Sequence, residues 1–225
     1  LKDNNVDYAF FFMFNKKLQN MTPENFIDNI LSKLNIKYLM VGDDFKFGKE
    51  RSGDFDFLSN WGQNNKIEVD RVPTYSFDDR RVSSTWIRES IAEGDFELAE
   101  KLLDRRYTFS GKVVSGNKLG RTIGIPTANI WVPKSNLPIR GVYAVKAFLK
   151  GETFNGIANM GVRPTVGGTS PVLEIHIFDF NKNIYGQRIE VEFYKKIREE
   201  KKFNDLNELK DQISKDIELA KEFLN

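Results

Sequence analysis

The 225-residue chain contains no cysteine, which excludes a disulfide framework and any thiolate metal site and agrees with a reducing compartment. It also lacks a long apolar run. The longest, residues 9–14, is far too short to span a bilayer, so a soluble, cytoplasmic protein is expected. Nor is there an excess of one charge. With 34 basic and 32 acidic residues the formal net charge is only +2, so composition carries no footprint of a nucleic-acid binder, and neutral partners or small anions are expected instead. Repeats and low-complexity tracts are absent too. What remains, 40% hydrophobic and 29% charged, suffices for one large or two modest globular domains and is too apolar for disorder. The first residue is Leu1 rather than methionine, from which a natural start further upstream is expected.

Residues 7–14, Asp-Tyr-Ala-Phe-Phe-Phe-Met-Phe, show no alternation and predict a strand buried on both faces, as in parallel sheets. Thr22 as N-cap and Pro23 at the first helical position predict a helix whose apolar face carries Phe26, Ile27, Ile30, Leu31 and Leu34. Tyr38-Leu39-Met40-Val41 then predicts a second strand ending at Gly42. Strand, helix and strand in this order predict a βαβ unit with its ligand at the C-terminal strand ends. A polar, glycine-rich stretch over 42–53 and an edge strand at 67–69 follow. Ser83-Ser84-Thr85 opens a helix bearing Ile87 and Ile91; Gly94 stops it, and Asp95 caps another over 96–103.

After Arg105-Arg106 the character changes. Short β segments at 107–114, 127–132, 141–149, 153–160, 172–179 and 188–194 predict a small six-stranded antiparallel barrel. A closing helix over 205–224 lays Leu206, Leu209, Ile213, Ile217, Ala220 and Leu224 against it at helical spacing. The fold class is thus α/β plus β-barrel, with domains at 1–106 and 107–225.

The stretch from Gly116 through Lys118, Gly120, Arg121, Gly124, Pro126 and Thr127 to Asn129 carries the most chemistry. Its three glycines let backbone amides surround phosphate oxygens, while Lys118 and Arg121 supply positive charge. It is not a Walker loop, because Asn117 stands where that motif demands lysine. Thr127 and Asn129 lie two apart on a strand and share a face. A hydroxyl and an amide carbonyl suit the hard octahedral preference of Mg²⁺, although on spacing alone turn chemistry after Pro126 is the more ordinary account of the pair. Glu174 alternates with Leu173 and Ile175 and shares a face with His176; on its own it reads as a solvated glutamate.

These motifs together resemble the bacterial bifunctional riboflavin kinase/FAD synthetase family. Gly-Ile-Pro-Thr-Ala-Asn at 124–129 is similar to the riboflavin kinase signature. Gly141-Val142-Tyr143-Ala144, the Asn159-Met160-Gly161-Val162-Arg163-Pro164-Thr165 run, Glu174-Ile175-His176-Ile177 and Ile197-Arg198-Glu199-Glu200 through Phe203 follow in the family's order. So do Ile213 and Asp216, and the likeness covers essentially all of 107–225. The resemblance implies that Thr127 and Asn129 hold Mg²⁺ and nucleotide phosphates and that Glu174 is the catalytic base; His176 is read as a structural residue. It also implies that the Arg163 loop and Arg198 close over nucleotide and flavin.

Upstream, Gly42-Asp43-Asp44-Phe45-Lys46-Phe47-Gly48 and Arg81-Val82-Ser83-Ser84-Thr85-Trp86-Ile87-Arg88 are similar to two motifs of the FAD synthetase module. They nominate Asp44 and Phe47 for nucleotide and flavin contacts, and Arg81, Ser84 and Arg88 for the triphosphate at a helix N-terminus. The family's His-x-Gly-His motif is missing, since the one histidine is His176. The upstream half is therefore expected to be an FMN adenylyltransferase domain incomplete at its N-terminus and inactive in adenylylation. The expected activity is riboflavin phosphorylation by MgATP, with small-molecule partners only: no nucleic acid and no membrane. Two alternatives have a test each: a non-catalytic flavin-nucleotide binding module would bind flavin without forming FMN, and an RNA-binding barrel needs a basic, aromatic-lined face.

Overall fold

The computed structural model describes residues 5–116, 119–133, 137–165 and 168–225. Its contacts separate two compact units, Leu1–Arg81 and Val82–Asn225.

In the first unit, α1 (Lys16–Gln19) and α2 (Pro23–Asn29) precede β1 (Tyr38–Gly42), α3 (Phe55–Asn65) and β2 (Glu68–Val72). A short β3–β4 hairpin follows, Ser76–Phe77 with Arg80–Arg81. The N-terminus of α2 forms as the sequence predicts, with the Thr22 hydroxyl accepting from the Asn25 amide at 3.3 Å and Pro23 in the first turn. Strands β1 and β2 pair in parallel, Tyr38 opposite Glu68 through Gly42 opposite Val72, with α3 as their crossover. Ile27, Val41, Phe47 and Leu58 form the buried core.

Two sequence expectations are corrected here. Residues 7–14 form no strand, and Tyr8, Phe11 and Met13 are 83%, 89% and 81% exposed. An apolar run becomes a strand only where a neighbour accepts its backbone hydrogen bonds, and among the described residues none pairs with this one. The βαβ unit consequently lies one element downstream, as β1–α3–β2. Helix α3 itself escaped the sequence reading because serine, asparagine and glycine weaken its periodicity. Its start is nonetheless marked by Asp54, which accepts from the Phe57 amide at 3.0 Å.

In the second unit, α4 (Ser84–Glu93) and α5 (Phe96–Leu103) lead into a closed barrel. Its strands are β5 (Thr108–Val114), β6 (Ala128–Ile130), β7 (Gly141–Leu149), β8 (Glu152–Thr165), β9 (Gly168–Ile177) and β10 (Arg188–Arg198), in the order β10-β5-β6-β9-β8-β7 with every pair antiparallel. A four-residue α6 (Leu119–Thr122) sits between β5 and β6, and α7 (Leu206–Leu224) closes the chain.

Alternation along the strands sorts two faces. Tyr143, Val145, Leu173, Ile175, Val191 and Phe193 fill the barrel core, and α4 and α5 add Ile91, Phe96 and Ala99 to it. Phe96 meets Tyr143 edge-on at 5.7 Å and stacks on Phe193 at 6.0 Å. Val142, Ala144 and Ile157 face the opposite way and pack under Ala220 and Ile217 of α7. Asp205 caps α7 by accepting from the amides of Asn207 and Glu208 at 2.8 and 2.9 Å.

Candidate active site

Because Leu173, Ile175 and Ile177 turn into the barrel core, Glu174 and His176 emerge on the face toward α7. A cavity of about 240 Å³ lies there. Glu174, Asn159 and Arg198 line it beside the apolar side chains of Ile157, Phe203, Leu209 and Ile213. The ladder register sets the polar residues in one transverse row. Asn129 of β6 pairs with Glu174 of β9, Glu174 with Asn159 of β8, Asn159 with Val142 of β7, and Val142 with Arg198 of β10.

A second cavity, about 380 Å³, is lined by Arg121, Lys182, Asn183 and Tyr185 together with Ile175 and Ile177. Thr127 lines both. It is half-buried and immediately precedes β6, and the carbonyl of its neighbour Pro126 lies 2.8 Å from His176 Nδ1. His176 thus ties the start of β6 to β9, in keeping with a structural role.

Glycines are required where the loop approaches this site. A Cβ on Gly116 would collide with the Asn129 amide, and one on Gly120 would strike the Ile125 carbonyl and come within 3.4 Å of Thr127 Oγ1. Gly124 takes a φ of 81° at the turn into Ile125. Arg121 stands exposed on α6 beside the second cavity. Asn129 is buried, 6% exposed, and lines neither cavity, so its amide is presented from behind the loop rather than from the cleft wall. Lys118 lies outside the described residues, as does the side chain of Arg163, whose backbone pairs with Ser170.

This donor set suits Mg²⁺ brought in on a nucleotide. Thr127 and Asn129 offer neutral oxygens behind a cradle that a Cβ would fill, and no group of three or more histidine, cysteine or carboxylate residues able to cage a metal occurs among the described residues.

Arg198 does not reach into the cleft freely. Its Nε donates to both carboxylate oxygens of Asp216, at 3.1 and 2.9 Å, and its second terminal nitrogen lies 2.8 Å from Oδ2. Asp216 is 1% exposed.

In the first unit, Asp44 stands just past the C-terminal end of β1, where Arg81 pairs with it at 3.0 Å and with Asp43 at 3.1 Å. Phe47 is 8% exposed and packs against Phe26, Phe45 and Phe57, so its ring anchors the 42–53 loop from within the core. In the second unit, Ser83 caps α4 by accepting from the Trp86 amide at 3.2 Å, leaving Ser84 and Arg88 exposed. Sequence reasoning singled out neither Asn159 nor the segment 180–185 that walls the second cavity. Asn159 lay within a quoted motif, but its place beside Glu174 depends on register between strands.

The riboflavin kinase family model matches residues 103–224, and the FAD synthetase model matches residues 1–86. A bifunctional riboflavin kinase/FMN adenylyltransferase from Haemophilus influenzae is 48% identical over 227 residues, spanning 100% of this chain and 74% of that protein. Its counterpart from Escherichia coli (strain K12) is 42% identical, spanning 99% and 72%, and that of Pseudomonas fluorescens 42%, spanning 96% and 70%. A crystal structure named as a macrolide-efflux protein from Streptococcus pneumoniae matches with a TM-score of 0.76 and 32% identity over 92% of this chain and 67% of that one. Among the described residues no helix is long and apolar enough to cross a membrane.

Proposed function

Because this chain belongs to the bifunctional riboflavin kinase/FMN adenylyltransferase family, we propose that it transfers the γ-phosphoryl group of MgATP to the terminal ribityl hydroxyl of riboflavin, giving FMN and ADP. The observation that carries the reading is the position of Thr127 in a wall common to two cavities. Glu174 and an apolar lining stand in one; Arg121, Lys182 and a polar segment stand in the other. Phosphoryl transfer needs this arrangement, with acceptor and donor on either side of a shared point and little covalent work for the protein to do.

In this assignment riboflavin occupies the first cavity, its ring between the barrel and α7, and ATP the second. Glu174 accepts the proton of the attacking hydroxyl as the new O–P bond forms. The bond between the γ-phosphorus and its bridging oxygen breaks, and ADP departs with that electron pair. Thr127 and Asn129 would hold Mg²⁺ together with phosphate oxygens and water, and the ion would neutralise phosphate charge. Amides near Gly116, Gly120 and Gly124, with Arg121, complete the anion cradle; Lys118 and Arg163, whose side chains lie outside the described residues, are assigned the nucleotide contacts that the family resemblance implies.

We place the boundary between the two parts near 106/107, with residues 1–106 the FMN adenylyltransferase part and 107–225 the riboflavin kinase. Asp44, Phe47, Arg81, Ser84 and Arg88 are assigned to the former. Lacking a His-x-Gly-His motif, these 225 residues are proposed to stop at FMN. The partners are small molecules and not nucleic acid, and the location is cytoplasmic.

Single-turnover assays of Glu174→Gln test the assignment. FMN formation should fall at least about 100-fold with ATP binding retained, as for loss of a general base. Unchanged turnover would remove Glu174 from the mechanism.

A further inference from the structure

Asp216 is the only charged side chain among the described residues that is fully buried, and it lies in a wall of the first cavity. A buried carboxylate is costly unless it is paired and its lone pairs are filled. Here Arg198 supplies three N–H···O contacts from β10, and Gln212 Nε2, one turn back on α7, donates to Oδ1 at 2.9 Å. The remaining terminal nitrogen of Arg198 donates to the Glu199 carbonyl at 2.9 Å. With the Nε–H shared between the two carboxylate oxygens, two of the five guanidinium N–H groups have no partner among the described residues. The Phe203 ring, another wall of the cavity, stands 5.5 Å from the guanidinium carbon.

The register fixes which strand carries those two donors. Arg198 is three strands from Glu174 along the row, by way of Asn159 and Val142. At the usual strand spacing that is about 14 Å along the sheet. Arg198 thus enters the cavity from a strand three removed from that of Glu174 in either direction round the closed barrel, which suits its donors to a part of the acceptor molecule other than the reacting hydroxyl; on an isoalloxazine those acceptors are the ring carbonyl oxygens.

We infer that Asp216 is a positioning residue for riboflavin: it pins the Arg198 guanidinium across β10 and α7 so that two N–H donors face the polar edge of the flavin ring. This rests on the riboflavin kinase reading. A contact made equally with substrate and transition state is lost in KM rather than kcat, and a positioning contact to the ring that is already complete in the bound substrate is of this kind.

The test is steady-state kinetics with riboflavin and MgATP, alongside riboflavin fluorescence titration, on the full chain. Asp216→Asn should raise KM and Kd for riboflavin about tenfold, with kcat and the KM for ATP changed less than about threefold. Arg198→Met should do the same, and the double variant should be no worse than Arg198→Met alone. Gln212→Leu, which keeps the ion pair, should shift the riboflavin constants about two- to threefold in the same direction. Exposed Glu218→Gln on the same helix should change neither. An unaltered riboflavin Kd in Asp216→Asn, or in Gln212→Leu should Asp216→Asn fail to fold, would overturn the proposal. So would an Asp216→Asn effect that persists undiminished beside Arg198→Met. Because the titration needs no turnover, absence of FMN in the wild type would count against the kinase reading alone.

Discussion

At Thr127 a single hydroxyl stands between two cavities, and its removal is a sharp probe. Thr127→Val keeps shape and deletes the oxygen; turnover should fall by about 100-fold, the order found when one preorganised polar contact to a transition state is lost, and the Mg²⁺ needed for half-maximal rate should rise. Gly116→Ala tests the cradle from behind. Its new methyl group must displace the buried Asn129 amide, so kcat/KM should fall about 100-fold in the same assay while far-UV circular dichroism stays native. Thr127, Asn129 and Glu174 were legible as a motif because each carries its chemistry in its own side chain and neighbours. Asn159 was not singled out, since its place beside Glu174 depends on the register of β8 against β9 rather than on its own neighbours. Phe47 was legible as a motif residue, but its burial among three phenylalanines depends on how the 42–53 loop folds back.

Helix α7 both covers the barrel and supplies Leu209 and Ile213 to the cleft, so its first turn is the element to perturb. Asp205→Ala removes the cap that holds the amides of Asn207 and Glu208. It should cost about 1 kcal/mol and lower the melting temperature by about 2–4 °C in a calorimetric scan. Three caps were readable one by one: Thr22, Ser83 and Asp95 each begin the helix expected of them, while Asp205 opens the expected closing helix without having been read as its cap. The barrel strands were readable from short β segments at regular spacing with turns between them. Residues 7–14 and α3 show where local pattern fails. The first is as apolar as any buried strand yet has no ladder partner among the described residues, and pairing is a property of two segments. The second has weak helix formers along most of its length and is held by Leu58 against the parallel pair.

Two tyrosines of the barrel, Tyr143 in its core and the half-buried Tyr194, should resist ionisation. Burial pushes Tyr143 up to about 12, against a hydroxyl that also accepts from the Arg140 amide at 2.9 Å. Tyr194 is pushed to about 12 by burial and by its hydrogen bond to Glu192. A raised folded-state value means that the native protein keeps the proton the unfolded chain releases. Stability from these groups is therefore complete below about pH 10, the ordinary tyrosine value, and is lost as pH rises toward 12. Urea melts between pH 9 and pH 12 should show that decline, and Tyr143→Phe should flatten it. At the same scale, the near balance of 34 basic and 32 acidic residues leaves specificity to the two cavities rather than to a long-range field.

The activity of the 225-residue chain itself is the most direct measurement. Purified protein incubated with riboflavin, ATP and Mg²⁺, with products separated by chromatography, should yield FMN and ADP in equal amounts over many turnovers and no FAD. Riboflavin bound at saturating Mg²⁺ and ATP without any FMN would contradict the account and identify a flavin-binding module in its place.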